Sequence, residues 1–272
     1  MILADTHVHI HSCFDLRLFF SSTISNFAAA SREKNLSGDV QALLCLTETP
    51  GTHVFDVLLK EGEATGGACR SVMTGTFISR TDEEISLAVW TDQKVKIFLV
   101  AGRQIPTAEK VEVLALGTRE DFPRDEAMDM TLKRVSERGA IPVLAWGPGK
   151  WTGTRKRRIR GLLDREDLPA FFLGDNGNRL ALWPKPRLLT LGEVKGHQVL
   201  PGSDPLPFSS EAHRVARFGL VMDRELTSSC PAGEFLGFLG NEDVAWMSFG
   251  RLEKPLRFLH NQLFMHIRNR LS

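Results

Sequence analysis

The succession of two hydrophobic periodicities does most to limit what this chain can become. Met1-Ile2-Leu3-Ala4 is a short continuous apolar run, and residues 40–46 form another. Such runs suit strands buried on both faces of a parallel sheet. Between them Leu16, Phe19, Phe20, Ile24 and Phe27 recur at helical spacing, which predicts a helix over 13–36. Residues 53–61 resume that spacing, so the opening reads β-α-β-α, the order of an α/β fold. The middle breaks the order. Residues 72–79, 85–91, 95–101 and 111–117 read as four successive strands, with Thr81-Asp82-Glu83 and Thr91-Asp92-Gln93 as turns. An antiparallel β-meander is therefore expected around 72–117. Alternation then returns, with helices at 124–138, 154–164 and 185–195 and strands at 141–146, 169–174 and 197–201. A short helix near 209–216 and terminal helices at 231–240 and 253–271 complete the reading. In the last of these, Leu256, Leu259, Leu263, Phe264 and Ile267 are expected to face the core. One domain over 1–272 is expected, its last part, about 231–272, a helical extension.

The chemistry concentrates at the first strand's end, in Asp5-Thr6-His7-Val8-His9. Strand side chains alternate faces, so His7 and His9 share a side, and Asp5 shares it with them. Imidazole and carboxylate together suit zinc, manganese or iron. Taken alone, the pair fits equally well a strand that happens to carry histidines. Other polar groups also follow apolar runs: Glu48, Gln104 and Glu112, the 146–150 loop, Asp175-Asn176 and Asp204. In α/β folds, sites form at the carboxyl ends of strands.

Composition removes several classes. The 272 residues carry a net charge of +1, which gives no general reason to expect nucleic acid or anionic lipid as partner. No apolar run approaches membrane-spanning length and no signal peptide precedes the first strand, so a cytoplasmic protein is expected. Cys13, Cys45, Cys69 and Cys230 lack CxxC spacing, and there is no tyrosine to act as acid or nucleophile.

Over most of residues 1–222 the chain resembles the polymerase and histidinol phosphatase (PHP) family. The family's opening Asp-x-His-x-His is matched by Asp5, His7 and His9. Leu46-Thr47-Glu48-Thr49 stands where the family has Thr-Asp-His. Gly102-Arg103-Gln104-Ile105, followed by residues 111–117, stands for Gly-x-Glu-Ile and a His-containing strand. Ala145-Trp146-Gly147-Pro148-Gly149 corresponds to Ala-His-Pro-Gly. Gly202-Ser203-Asp204-Pro205-Leu206 corresponds to Gly-Ser-Asp-Ala-His. The resemblance implies a distorted seven-stranded β/α barrel, with the meander inserted, and a metal cluster at the carboxyl ends of its strands. It also implies hydrolysis, most often of phosphoesters. The departures reduce the ligand set. Gln104 replaces a glutamate, and histidine positions read Thr49, Glu112, Leu206 and Trp146 or Gly147. Too few ligands remain for three divalent ions. A single ion held by His7, His9, Asp204 and either Glu112 or Glu48 is the reduced site the resemblance leaves, with Asp204 and Glu48 as candidate catalytic groups.

A small anionic substrate would meet Lys150 and Arg155, beside the 147–150 loop and a helix start, and Asn176 and Arg179, in a second strand-end loop. Turn chemistry explains Asp175-Asn176 equally well. The run Arg155-Lys156-Arg157-Arg158-Ile159-Arg160 reads as a solvated face, because Asp164, Glu166 and Asp167 follow it closely. The reading is therefore a metal-dependent hydrolase with a reduced centre. Its alternatives are a non-catalytic relative that keeps the barrel and a ligand pocket, or a lyase or isomerase using Glu48 or Glu112 as base.

Overall fold

The computed structural model of the protein describes residues 1–63, 70–73, 76–91 and 94–271. Cys69 and the Asp92-Gln93 turn lie outside them. The chain begins with β1 (Ile2–Val8), α1 (Leu16–Glu33), β2 (Gln41–Leu46) and α2 (Val54–Glu63). Six strands follow: β3 (Arg70–Met73), β4 (Thr76–Arg80), β5 (Ser86–Thr91), β6 (Lys94–Val100), β7 (Gly102–Pro106) and β8 (Glu112–Leu116). Then come α3 (Met128–Glu137), β9 (Ile141–Ala145), α4 (Gly153–Leu162), β10 (Phe172–Asp175), α5 (Arg187–Val194) and β11 (Val199–Pro201). A 3-10 helix (Ser209–Arg214) leads into β12 (Phe218–Met222), α6 (Pro231–Leu239), β13 (Trp246–Gly250) and α7 (Pro255–Leu271).

These strands form two sheets of a mixed α/β protein, with no closed barrel among the described residues where a distorted seven-stranded β/α barrel was expected. One sheet has eight strands in the order β13-β12-β1-β2-β6-β5-β4-β3, the other five in the order β11-β10-β9-β8-β7. β1, β2 and β6 run parallel, as do β9, β10 and β11, and the remaining pairings are antiparallel. The meander is thus divided. β3 to β6 extend the first sheet, while β7 and β8 begin the second. The change of sheet falls at Ala101-Gly102. A Cβ on Gly102 would lie 2.6 Å from the Leu46 carbonyl oxygen and 2.7 Å from that of Ala115, so only glycine admits the crossing.

The sheets meet at two seams. At one, the Glu48 amide donates to the Gly102 carbonyl (3.1 Å) and the Gln104 amide to the Glu48 carbonyl (2.8 Å). At the other, the Thr6 hydroxyl of β1 donates to the Pro201 carbonyl of β11 (3.1 Å) and the Asp204 amide to the His7 carbonyl (2.8 Å). Both seams lie at the carboxyl ends of strands, which brings four polar segments together.

Amphipathic helices cover the sheets. Asp15 caps α1 by accepting from the Arg17 and Leu18 amides at 2.8 and 3.1 Å. Phe19, Phe20, Phe27 and Ala30 then pack on the first sheet with Leu3, Leu44 and Leu46. α3, α4 and α5 pack Leu132, Val135, Ile159, Leu162 and Leu189 against Val113, Leu144 and Leu173 of the second. Each fully buried large apolar side chain stabilises by about 1.5–3 kcal/mol.

α7 departs from expectation. Leu256 (84% exposed), Leu259, Leu263 and Phe264 face outward, and Phe258 and Asn261 are buried instead. The buried Glu211 carboxylate takes Arg257 at 2.8 Å, which turns that residue's face inward. The side chain of Ile267 lies outside the described residues. The supposed helical extension also contains β13, paired with β12. Among the described residues, no helix is long and apolar enough to cross a membrane.

Candidate metal centre

The end of β1 is shaped before any ligand is considered. Its register with β2 shifts between Asp5 and Val8, which makes a bulge that re-aims the side chains there. His7 and His9 both turn inward and are buried. Asp5 does not join them. Its fully buried carboxylate accepts from the Ser203 amide (2.8 Å), the Ser203 hydroxyl, the Ala216 amide (2.8 Å) and the His7 amide (3.3 Å). Asp5 thereby clamps the loop after β11 against β1. Gly202 makes the closeness possible, since a Cβ there would fall 2.5 Å from the His7 backbone nitrogen.

The next residue but one is Asp204, held in the left-handed region at φ +43. Such a conformation costs a non-glycine residue about 1 kcal/mol or more, and persists where neighbours enforce it. The neighbours are explicit. Asn176 donates to Asp204 Oδ2 at 2.8 Å, and Asn178 donates to the Asp204 carbonyl at 2.9 Å and to Oδ2 at 3.3 Å.

Four atoms with lone pairs now converge. His7 Nε2 is 3.1 Å from His9 Nε2, 3.2 Å from Gln104 Oε1 and 3.5 Å from Asp204 Oδ1. His9 Nε2 lies 3.4 Å from the same Asp204 oxygen. Burial lowers the His7 pKa to about 4 against the pull of Asp204, with His9 and Lys150 adding to the fall, so the ring is neutral at pH 7. Burial alone would raise Asp204, but His7, His9 and Lys150 outweigh it and hold the carboxyl below its usual range. Burial raises Asp5 to about 7, against the Ser203 and Ala216 donors. The single proton of neutral His7 has one good position, Nε2, where it faces the acceptors Gln104 Oε1 and Asp204 Oδ1; an ion there would have to displace it to Nδ1. Nδ1 is buried without a hydrogen-bond partner among the described residues, and Nε2 faces three other groups. A cation at the point of convergence would accept all four lone pairs, and His7, His9 and Asp204 form a set able to hold one. Two imidazoles, a carboxylate and an amide oxygen fit zinc, manganese or iron.

No family model matches the chain, and no curated protein does. Solved structures do. The chain is similar to PsfC from Pseudomonas syringae PB-5123, with a TM-score of 0.57 at 15% identity, covering 99% of this chain and 98% of that one. It shares the fold of PsfC. The lesion-specific endonuclease PfuEndoQ from Pyrococcus furiosus matches with a TM-score of 0.43 at 12% identity, over 84% of this chain and 54% of that one. A complex of Endonuclease Q with a 27-mer duplex substrate carrying an abasic lesion matches with a TM-score of 0.39, also at 12% identity, over 84% and 55%. The chain spans about half the length of those endonucleases. The expectation that nucleic acid is excluded as a partner, which rested on net charge alone, is corrected. Net charge is an average over the whole surface and sets no limit on a local patch.

The other expected site residues fall into separate groups. Glu112 pairs with Lys150, and this pair stands near enough for Lys150 to act on both His7 and Asp204. Glu112 is therefore beside the centre rather than in its ligand set. Glu48 is turned away. Its Oε1 accepts from the Phe55 amide at 2.8 Å at the start of α2, and its Oε2 pairs with Arg103. Arg103 is itself buried and donates to the Thr52 and Arg119 carbonyls at 3.2 and 2.6 Å. An acid committed in this way holds β2 to β7, the strand carrying Gln104, and is not placed to take a substrate proton. Arg155 donates to the Gly149 carbonyl at 3.0 Å. Arg179 pairs with Asp175 at 2.9 Å, and both line a cavity of about 710 Å³ between β11 and β13. Asn176 acts through Asp204. Gln104 and Asn178 are the residues that sequence reasoning undervalued. Gln104 stood at a ligand position, and Asn178 sits two residues beyond Asn176, the spacing of an Asx turn, which the 3.2 Å bond from its amide to Asn176 Oδ1 completes.

Proposed function

We propose that this chain is a PHP-like metal-dependent hydrolase with one divalent ion at His7, His9 and Asp204, acting on a phosphoester. The observation that carries the reading is the convergence of those three groups, with Gln104, on one buried point. The two seams between the sheets support the barrel-like arrangement that the family resemblance implies. A bound ion would supply Lewis acidity and lower the pKa of a water molecule. The chain's own residues do the rest. Asp204 directs Oδ1 to the centre while Oδ2 is occupied by Asn176 and Asn178, which favours a ligand role over a proton-accepting one. Lys150 is the cation beside the centre, and exchanging Glu112 for a substrate oxygen would hold the phosphoryl group there and release Glu112 to accept a proton. Arg103 and Glu48 keep Gln104 in register.

The test is hydrolysis of p-nitrophenyl phosphate and bis-p-nitrophenyl phosphate with added zinc, manganese or iron. Turnover by the wild type that falls at least a hundredfold in Asp204→Asn supports the proposal. Metal uptake without turnover of any phosphoester, including duplex and single-stranded DNA, would replace it with the non-catalytic reading.

A further inference from the structure

Helix α4 carries Arg155, Lys156, Arg157, Arg158 and Arg160. The acids that follow were expected to balance them, and the structure uses two of the three, Asp164 and Asp167, elsewhere. Asp164 pairs with Lys195, and Asp167 takes Arg165 and Lys133 at 2.6 and 3.0 Å. Arg158 is paired with Glu109 at 3.2 Å. Lys156, Arg157 and Arg160 are exposed and make no ion pair among the described residues. Their i, i+3 and i, i+4 spacing puts them on one face, beside the stripe of buried Ile159 and Leu162.

That face continues onto the start of α5. A cavity of about 390 Å³ lies there, with Trp151, Thr152, Gly153 and Lys156 on one side and Pro186 and Arg187 on the other. Arg187 is likewise exposed and makes no ion pair among the described residues. No acidic residue lines the cavity. Both helices begin at it, and neither has a side-chain cap, so first-turn N–H groups add to the two cations.

We infer that this face, from Arg187 across the cavity and along Lys156, Arg157 and Arg160, binds the phosphate backbone of a nucleic acid. Four exposed cations, none of them in an ion pair among the described residues, suit a polymer of phosphates better than a single anion. Arg157 and Lys156 lie about 4.5 and 6 Å along the helix axis from Arg160, on the scale of the 3.4 Å rise between nucleotides. The apolar-rimmed N-termini offer a seat for one phosphate. A membrane surface fits less well, because α4 exposes no large apolar residue to enter it. The surface goes beyond the hydrolase proposal, since binding here does not require the metal centre to act.

The experiment is fluorescence anisotropy of a labelled 20-mer, duplex and single-stranded, titrated with the full chain from 50 to 300 mM salt. Lys156→Gln/Arg157→Gln/Arg160→Gln/Arg187→Gln is compared with wild type and with the charge-keeping Arg157→Lys/Arg160→Lys/Arg187→Lys. The inference expects wild-type binding that weakens with salt, a loss of at least tenfold in the Gln variant, and a salt slope shallower by about 3 to 4. The Lys variant should bind within about threefold of wild type. Equal binding by wild type and Gln variant, no wild-type binding at 50 mM salt, or binding to anionic phospholipid vesicles but to neither DNA would overturn it.

Discussion

Asn176→Ala should weaken metal binding without unfolding the protein. Asn176 donates to Asp204 Oδ2 at 2.8 Å, a bond to a charged acceptor worth about 1.5–3 kcal/mol. Asn178, at 3.3 Å from the same oxygen, supplies a weaker reserve. That reserve is itself tied to Asn176, whose Oδ1 accepts the Asn178 amide. Truncation therefore frees the carboxylate to rotate away from the two Nε2 atoms, and Asp204 at φ +43 loses part of what enforces it. The lower end of the range corresponds to about tenfold in affinity, and groups that orient metal ligands commonly matter by about 10–100-fold. The assay is competition for zinc against a chromophoric chelator, with urea unfolding of the metal-free protein alongside. Stability of the metal-free protein should fall by about 1–2 kcal/mol, leaving the variant folded. Zinc affinity within twofold of wild type in a folded variant would refute the argument that Asn176 positions Asp204.

Other consequences follow from the same geometry. Arg103→Met strands Glu48 in a buried site, and should cost about 3–5 kcal/mol in urea unfolding; a loss under 1 kcal/mol would contradict the pairing. Gly102→Ala drives a Cβ into the Leu46 and Ala115 carbonyls, and should yield little soluble protein or lower the melting temperature by several degrees. The pH dependence of metal-free stability has two opposed parts. His7, lowered from 6.5 to about 4, removes about 3 kcal/mol as pH falls through that interval, because the unfolded chain takes a proton the native one refuses. Asp5, raised from 3.8 to about 7, removes about 4 kcal/mol as pH rises through nearly the same interval, because the native chain keeps a proton the unfolded one has released. Wild-type stability should therefore change little between pH 4 and 6.5, whereas Asp5→Asn should unmask a rise of about 3 kcal/mol; a flat profile in that variant would contradict the assignment.

The parts of the fold legible in the sequence are those governed by local periodicity. The apolar runs of β1, β2, β9 and β10 and the spaced phenylalanines of α1 declare themselves, since buried parallel strands and amphipathic helices carry their burial in their own pattern. β7 was hidden because Gly102-Arg103-Gln104 is polar, and its burial comes from Glu48 across a seam 55 residues away in sequence. α7 was misjudged because its leucine stripe suggests a core-facing side, while the buried Glu211–Arg257 pair selects another. In the site, the alternation of β1 correctly put His7 beside His9, and the Gly202-Ser203-Asp204 phrase located the third group. Alternation failed for Asp5, which is withdrawn from the cluster by Ser203 and Ala216, partners invisible without the fold. Glu48 and Glu112 looked available for the same reason: a sequence shows a carboxylate, but not the Arg103 or Lys150 that engages it.

The central claim is that His7, His9 and Asp204 form one metal site. Its most direct test is elemental analysis of untagged protein purified without chelator, beside His7→Ala/His9→Ala, with circular dichroism on both. The account predicts about one zinc, manganese or iron ion per folded wild-type chain and almost none in the folded double variant. A wild type that takes up none of the three on addition, or a variant that keeps the full complement, would contradict it.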